Sequence, residues 1–310
     1  MQAADLPHTA VRPGIATAEV RRGLALGALG MLMFAATLPM TRLAVGDTAA
    51  PQLPPAFVTA GRAAVAGVLS LIWLLVLRAS VPARRHWRAL AVCAAGTVLG
   101  FPLFLSLALR HVDAMHAAVV TGVLPLATAA VAALALRQRA SAAFWACALL
   151  GCALVLGYAG WQGGGRLSAG DGLLLLAVLS AAVGYVGGAQ VAVVLPAQQV
   201  ICWVLVLSRP LTAPLALWLR PQHDASLAAW GGFAYVSLFS MWLGFFAWYR
   251  GLALGGVMRV SQVQLLQPFL ALLLAVPILG ERLEPATLGF ALAVMAVVFV
   301  GRRAPAGVSR

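Results

Sequence analysis

Of 310 residues, 63% are apolar and 9% charged, and the formal charge of +13 comes from 21 Arg, with no Lys, against 8 acids. Soluble domains run nearer half apolar and about a quarter charged, and about 20 apolar residues cross a bilayer once, so the chain reads as polytopic in a membrane. Disorder, a disulfide-stapled secreted scaffold and a coiled coil are excluded by the same figures, and the scattered Arg residues form no basic stripe for nucleic acid.

The first 22 residues carry Pro7 and Pro13 and close on Val20-Arg21-Arg22. They lack the short apolar core and small-residue cleavage site of a signal peptide, and read as a cytosolic tail. Apolar runs then fall at 23–43, 55–77, 89–109, 114–136, 141–160, 172–195, 198–219, 229–251, 257–279 and 285–301. The pattern predicts an all-α integral membrane fold of ten transmembrane helices with both termini on one side. The longest Gly-rich break, 161–170, divides the runs five and five. A first repeat is therefore expected at 23–160, an outer linker at 161–170, a second repeat at 171–301 and a cytosolic tail at 302–310. Five spans per half make the second half enter the membrane upside down, as two inverted five-helix repeats.

Arginine placement sets the expected orientation. With the N-terminus inside, the inner segments hold fourteen Arg and the outer loops four, Arg110, Arg166, Arg220 and Arg282. Asp47, Asp113, Asp171, Asp224, Glu281 and Glu284 fall on outer loops or outer helix ends. That is the positive-inside pattern of an N-in, C-in chain. Cys93, Cys147, Cys152 and Cys202 lie within apolar runs, without metal-ligand spacing, and read as small buried hydrophobes.

A shift of 143 residues places Met115 on Met258, Pro125 on Pro268 and Arg139 on Arg282, which points to an internal repeat. Gly251-Leu252-Ala253-Leu254 leads through Pro268-Phe269-Leu270-Ala271 to Gly280-Glu281-Arg282-Leu283 and Gly289-Phe290-Ala291-Leu292. With Leu107-Ala108-Leu109-Arg110-His111-Val112 and Leu124-Pro125-Leu126, this pattern resembles the EamA-type members of the drug/metabolite transporter superfamily. The resemblance covers nearly everything from Gly23 to Arg302. It implies two five-helix repeats and movement of small metabolites, often export, through a central cavity. Where the family often has Gly-Glu-Arg, the first half has Arg137-Gln138-Arg139.

Polar and irregular positions inside the spans nominate substrate-binding residues. Pro125 and Pro268 fall near the middle of the fourth and ninth spans, and cannot donate to the carbonyls of Thr121 and Gln264. Irregular backbone at that depth is tolerated against protein or a water-filled cavity. Thr121, Pro125, Gln264 and Pro268 are thus expected to line a cavity, with a packing kink as the alternative. Ser261, Gln264 and Gln267 share one helical face, suited to a solute or to helix–helix hydrogen bonds. Tyr235, Trp242 and Tyr249 are seven apart on the eighth span, a stripe that more often serves packing than a binding wall; Trp242, nearest mid-depth, is the one of the three expected at the site, and the inner aromatic belt is the alternative for Tyr249. Tyr185 is expected to turn off a close seam made by Gly184 and Gly188. Thr37, Phe101 and Ser106 are weaker candidates, of which Thr37 and Phe101 complete the set. For Arg62 and Arg209, contact with an anionic solute and a structural role both stand, the structural one preferred. His116 is expected at the interface.

No Asp or Glu occupies the middle of a span, so a membrane-embedded carboxylate proton relay has no candidate. No Walker motif, His-Glu-x-x-His or nucleophile–base pair occurs, so an ATP-driven pump, an enzyme, a cofactor and a metal are not expected. The reading is a secondary transporter, an exporter or exchanger of the bacterial inner membrane. Its solute would be a small polar or amphipathic metabolite such as an amino acid. The partners are then the lipid bilayer and that solute, with monomer and homodimer both open. A membrane receptor, structural protein or integral-membrane enzyme without solute flux is the alternative.

Overall fold

The computed structural model describes residues 13–135, 141–255 and 260–303, and among them every regular element is helical. Eight helices are long and apolar enough to cross a membrane. They are α1 (Ala18–Val45), α2 (Pro55–Val76), α3 (Arg84–Ala108), α4 (Ala114–Ala135), α5 (Ala142–Gln162), α6 (Ala169–Ala192), α7 (Gln198–Trp218) and α8 (Leu227–Gly255). Two shorter apolar helices follow, α9 (Val263–Leu279) and α10 (Pro285–Gly301). The segment Ser261–Leu266, which leads into α9 and forms its first turn, is wound as a tight 3-10 helix before Gln267. Arg137, Gln138, Arg139, Met258, Arg259 and the side chain of Ser261 lie outside the described residues.

The helices are locally broken, and the breaks of α3 and α8 and of α4 and α9 come in matched pairs, whereas that of α1 has no counterpart in the continuous α6. Ala94–Gly100 of α3 and Val236–Leu243 of α8 both carry i→i+5 hydrogen bonds. Shifting 94–100 by 143 residues puts it on 237–243, inside the second stretch. Helix α4 is interrupted at Gly122–Val123, between Ala114–Thr121 and Leu124–Ala135. The same shift places that interruption on Leu265–Leu266, the end of the 3-10 turn in α9. Pro125 and Pro268 explain both, because neither supplies the N–H that would continue the helix. The Gln264 carbonyl, expected free, instead accepts the Gln267 N–H, which i→i+3 winding brings within reach. Helix α1 breaks at Ala36, where Pro39 lacks the donor for the Ala35 carbonyl.

The first helix of each half packs against the third of the other, α1 with α8 and α6 with α3. Helices α2 and α7, α4 and α9, and α5 and α10 pair like with like, so the contacts follow a two-fold pseudo-symmetry. Glycine closes both crossed seams. A Cβ on Gly184 would lie 2.7 Å from the Thr97 backbone nitrogen, and one on Gly251 2.6 Å from that of Gly27. No side chain fits there, and its absence lets the backbones touch. Leu75, Leu149 and Leu217 point outward and stay exposed, as suits side chains facing hydrocarbon.

Candidate functional site

Between the two halves, the broken helices surround a cavity of about 700 Å³. Phe34, Phe101, Tyr185, Phe245, Trp248 and Tyr249 give it aromatic walls. Thr37, Thr97, Thr121, Ser240, Gln264 and Gln267 add neutral hydrogen-bonding groups, and Arg62 adds a guanidinium. No Asp or Glu is among the described residues that line it.

Two backbone irregularities build its polar centre. Thr37 follows the break in α1, and Ser240 sits in the i→i+5 stretch of α8. Their hydroxyl oxygens are 2.8 Å apart, and Arg62 Nη2 donates to Ser240 Oγ at 2.9 Å. Thr41 Oγ1 donates to the Thr37 carbonyl at 2.6 Å, which fixes the turn behind it. Arg62 is 2% exposed, and its Nε and Nη1 have no hydrogen-bond partner among the described residues.

Thr37, Phe101, Thr121, Pro125, Tyr185, Gln264, Gln267 and Pro268 all line this cavity. Trp242 does not. Its ring lies 4.9 Å from that of Phe246 and packs with the apolar cluster that includes Val204 and Leu205 of α7. Seven residues return to one face only at the α-helical pitch, and the wider winding of Val236–Leu243 turns Trp242 away. Tyr249 reaches the cavity, whereas Tyr235 donates to the Met33 carbonyl at 3.2 Å. Ser106 is buried elsewhere, and the stem of Arg209 lies along Gly67 where α2 meets α7. Sequence reasoning did not single out Ser240 or Trp248. Ser240 carried a signal, since the 143-residue shift places Thr97, itself a lining residue, on it.

A second, smaller pocket of about 320 Å³ gathers His116, Tyr158, Gln162, Asp171, Glu281 and Thr287. His116 is buried, with Nε2 2.6 Å from Asp171 Oδ1. Asp171 also closes a capping box with Ser168 at the start of α6. Tyr158 and Thr287 approach to 3.2 Å across α5 and α10. Helix α4 is capped from the other half of the chain. The Glu281 carboxylate accepts the N–H groups of Ala114 and Met115, each at 2.8 Å. Asp113, at the N-cap position, makes no cap bond and stands 3.6 Å from Arg42. Burial pushes the Glu281 carboxyl above the usual carboxylate range, against the pull of those two N–H groups. Asp47 is held below that range, chiefly by the Ala50 N–H.

The model of the EamA-like transporter family matches residues 21–159 and 168–302. The chain belongs to the EamA-like transporter family. Two EamA repeats span it, as the resemblance of its Gly251–Leu292 motifs implied, and it is a multi-pass membrane transporter. It is 45% identical over 279 residues to the Bacillus subtilis (strain 168) protein described as uncharacterized transporter YdeK. That similarity covers 89% of this chain and 96% of YdeK. A protein of known crystal structure shares the fold with a TM-score of 0.60 at 20% identity, over 91% of this chain and 96% of its own.

Proposed function

We propose that this EamA protein is a secondary transporter that carries a small polar or amphipathic metabolite of amino-acid size by alternating access, as an exporter or exchanger. The observation that carries this reading is the cavity of about 700 Å³ at the junction of the halves, where α1, α4 and α9 are all interrupted. Broken helices at a repeat interface supply polar backbone and side-chain groups to a solute while the two halves rock around it. Counting α9 and α10 as crossings gives ten spans in two inverted repeats. Fourteen inner against four outer Arg favour N-in, C-in insertion in a bacterial inner membrane. Thr37, Phe101, Thr121, Pro125, Tyr185, Gln264, Gln267 and Pro268 form the substrate wall in this reading, joined by Ser240 and Trp248.

The test is a panel of amino acids, nucleosides, sugars and organic acids, assayed for uptake and efflux in cells expressing the protein or its Gln264→Ala variant. At least one solute should move, and the variant should slow it roughly tenfold, the worth of one hydrogen bond in a water-poor site. A panel in which nothing moves in either direction would overturn the proposal.

A further inference from the structure

We infer that the solute is a net anion, a monocarboxylate with an apolar body, whose carboxylate is held by Arg62. The inference rests on the transport reading of the same cavity and narrows it to a substrate class. Arg62 is 2% exposed and lines the cavity. One hydrogen bond, Nη2 to Ser240 Oγ at 2.9 Å, is its only side-chain partner among the described residues. None of the ion pairs among the described residues includes it. A guanidinium stays protonated at any physiological pH, so a full positive charge stands in an otherwise uncharged, largely apolar chamber. Such a charge is costly unless an anion joins it.

The free donors suit a carboxylate. Nη2 carries a second N–H beyond the one given to Ser240, and although Nε and Nη1 are buried in this state, a turn of the guanidinium toward the solute brings one of them alongside it as the two-toothed fork that carboxylates accept. The fold itself does not demand a charge at this place. The 143-residue shift puts Arg62 on Leu205, a fully buried apolar residue of α7, so the matching position in the other half is satisfied by hydrocarbon. The lining also decides the sign. With no Asp or Glu among the described lining residues, the ammonium of an amine or zwitterion meets no acid and leaves the chamber positive. A monoanion brings it to neutrality. Phe34, Phe101, Phe245 and Trp248 then accept the apolar body.

The experiment uses four compounds on one skeleton: 3-phenylpropionate, 3-phenylpropionamide, 3-phenylpropylamine and phenylalanine. Each is titrated calorimetrically into the purified full-length protein at up to millimolar concentration, and each is tested for flux in proteoliposomes. The wild type should bind the carboxylate at least roughly tenfold more tightly than the amide, with the amine and the zwitterion weaker still. Arg62→Met should bring the carboxylate down to the level of the amide. Arg62→Lys keeps a charge and loses the fork, so it should weaken the carboxylate several-fold and leave the amide alone. Arg209→Met, outside the cavity, should change neither. The inference fails if the wild type binds none of the four, binds carboxylate and amide alike, or prefers the amine or phenylalanine. It also fails if the carboxylate preference survives Arg62→Met or is untouched in Arg62→Lys. Flux of the amide or amine without the carboxylate overturns the anion assignment and leaves transport standing. Selective carboxylate binding without flux of any compound does the reverse.

Discussion

Replacing Glu281 tests whether the two halves are latched through the start of α4. Its carboxylate accepts two backbone N–H groups at 2.8 Å, and the local N-cap residue, Asp113, makes no cap bond that would replace it. A helix cap is worth about 1 kcal/mol, and desolvation of the charge here offsets the extra strength that a charged acceptor brings. Glu281→Ala should therefore cost about 1 kcal/mol, and Glu281→Gln, which keeps one acceptor oxygen without the charge, less than that. The assay is thermal unfolding of the purified protein in detergent, followed by tryptophan fluorescence across pH. Because burial raises the folded carboxyl above the usual 4.5, the folded state binds the proton more readily than the unfolded chain. This group's contribution to stability should therefore grow as pH falls through the raised value toward 4.5, and shrink as pH rises through it. Glu281→Gln should lack that component. If Glu281→Ala melts with the wild type at every pH, the latch does not exist.

Gly184→Val should destabilise by about 1–3 kcal/mol through overpacking of the α3–α6 seam, whereas Gly157→Ala, with nothing within 4 Å of its added Cβ, should be neutral or stabilising. Relative melting temperatures of the two variants check this, and equal effects would refute the seam. His116→Ala should cost roughly 2 kcal/mol or more by leaving Asp171 buried without its ring partner. Combined with Asp171→Asn, the loss should fall short of the sum of the two singles by about 1 kcal/mol, measured as a double-mutant cycle. Strict additivity would show that the 2.6 Å contact carries no energy.

What the sequence disclosed follows from how local the chemistry is. Long apolar runs mark eight helices within a few residues of their observed limits, because a bilayer demands length and hydropathy and little else. Pro125 and Pro268 were legible as break points since a missing N–H acts within one turn, and both line the cavity. Trp242 was misplaced because seven-residue spacing assumes α-helical pitch, and nothing in its own neighbourhood announces the i→i+5 winding. The burial of Arg62 and the lack of an acid beside it are facts about other helices, so the sequence leaves its structural and solute-binding readings both open. The partner of His116 is equally hidden from local reading, since it lies 55 residues away, in the second repeat.

The constant 143-residue spacing is also a rule about length. It holds from α2, whose residues 55–75 fall on 198–218 of α7, to Arg139, so the two halves carry equal numbers of residues between their matched breaks. An insertion inside that register would turn every lining side chain after it by about 100°. The stretch 163–167 is outside the register, and Gly164 and Gly165 turn there with positive φ and nothing within 4 Å of an added Cβ. Extra residues at that point would meet only the slowly growing entropy of a longer loop. The chain is thus length-intolerant within the matched register and length-tolerant at this link, where two separately encoded halves could be joined, or a reporter domain inserted, with the breaks left in step.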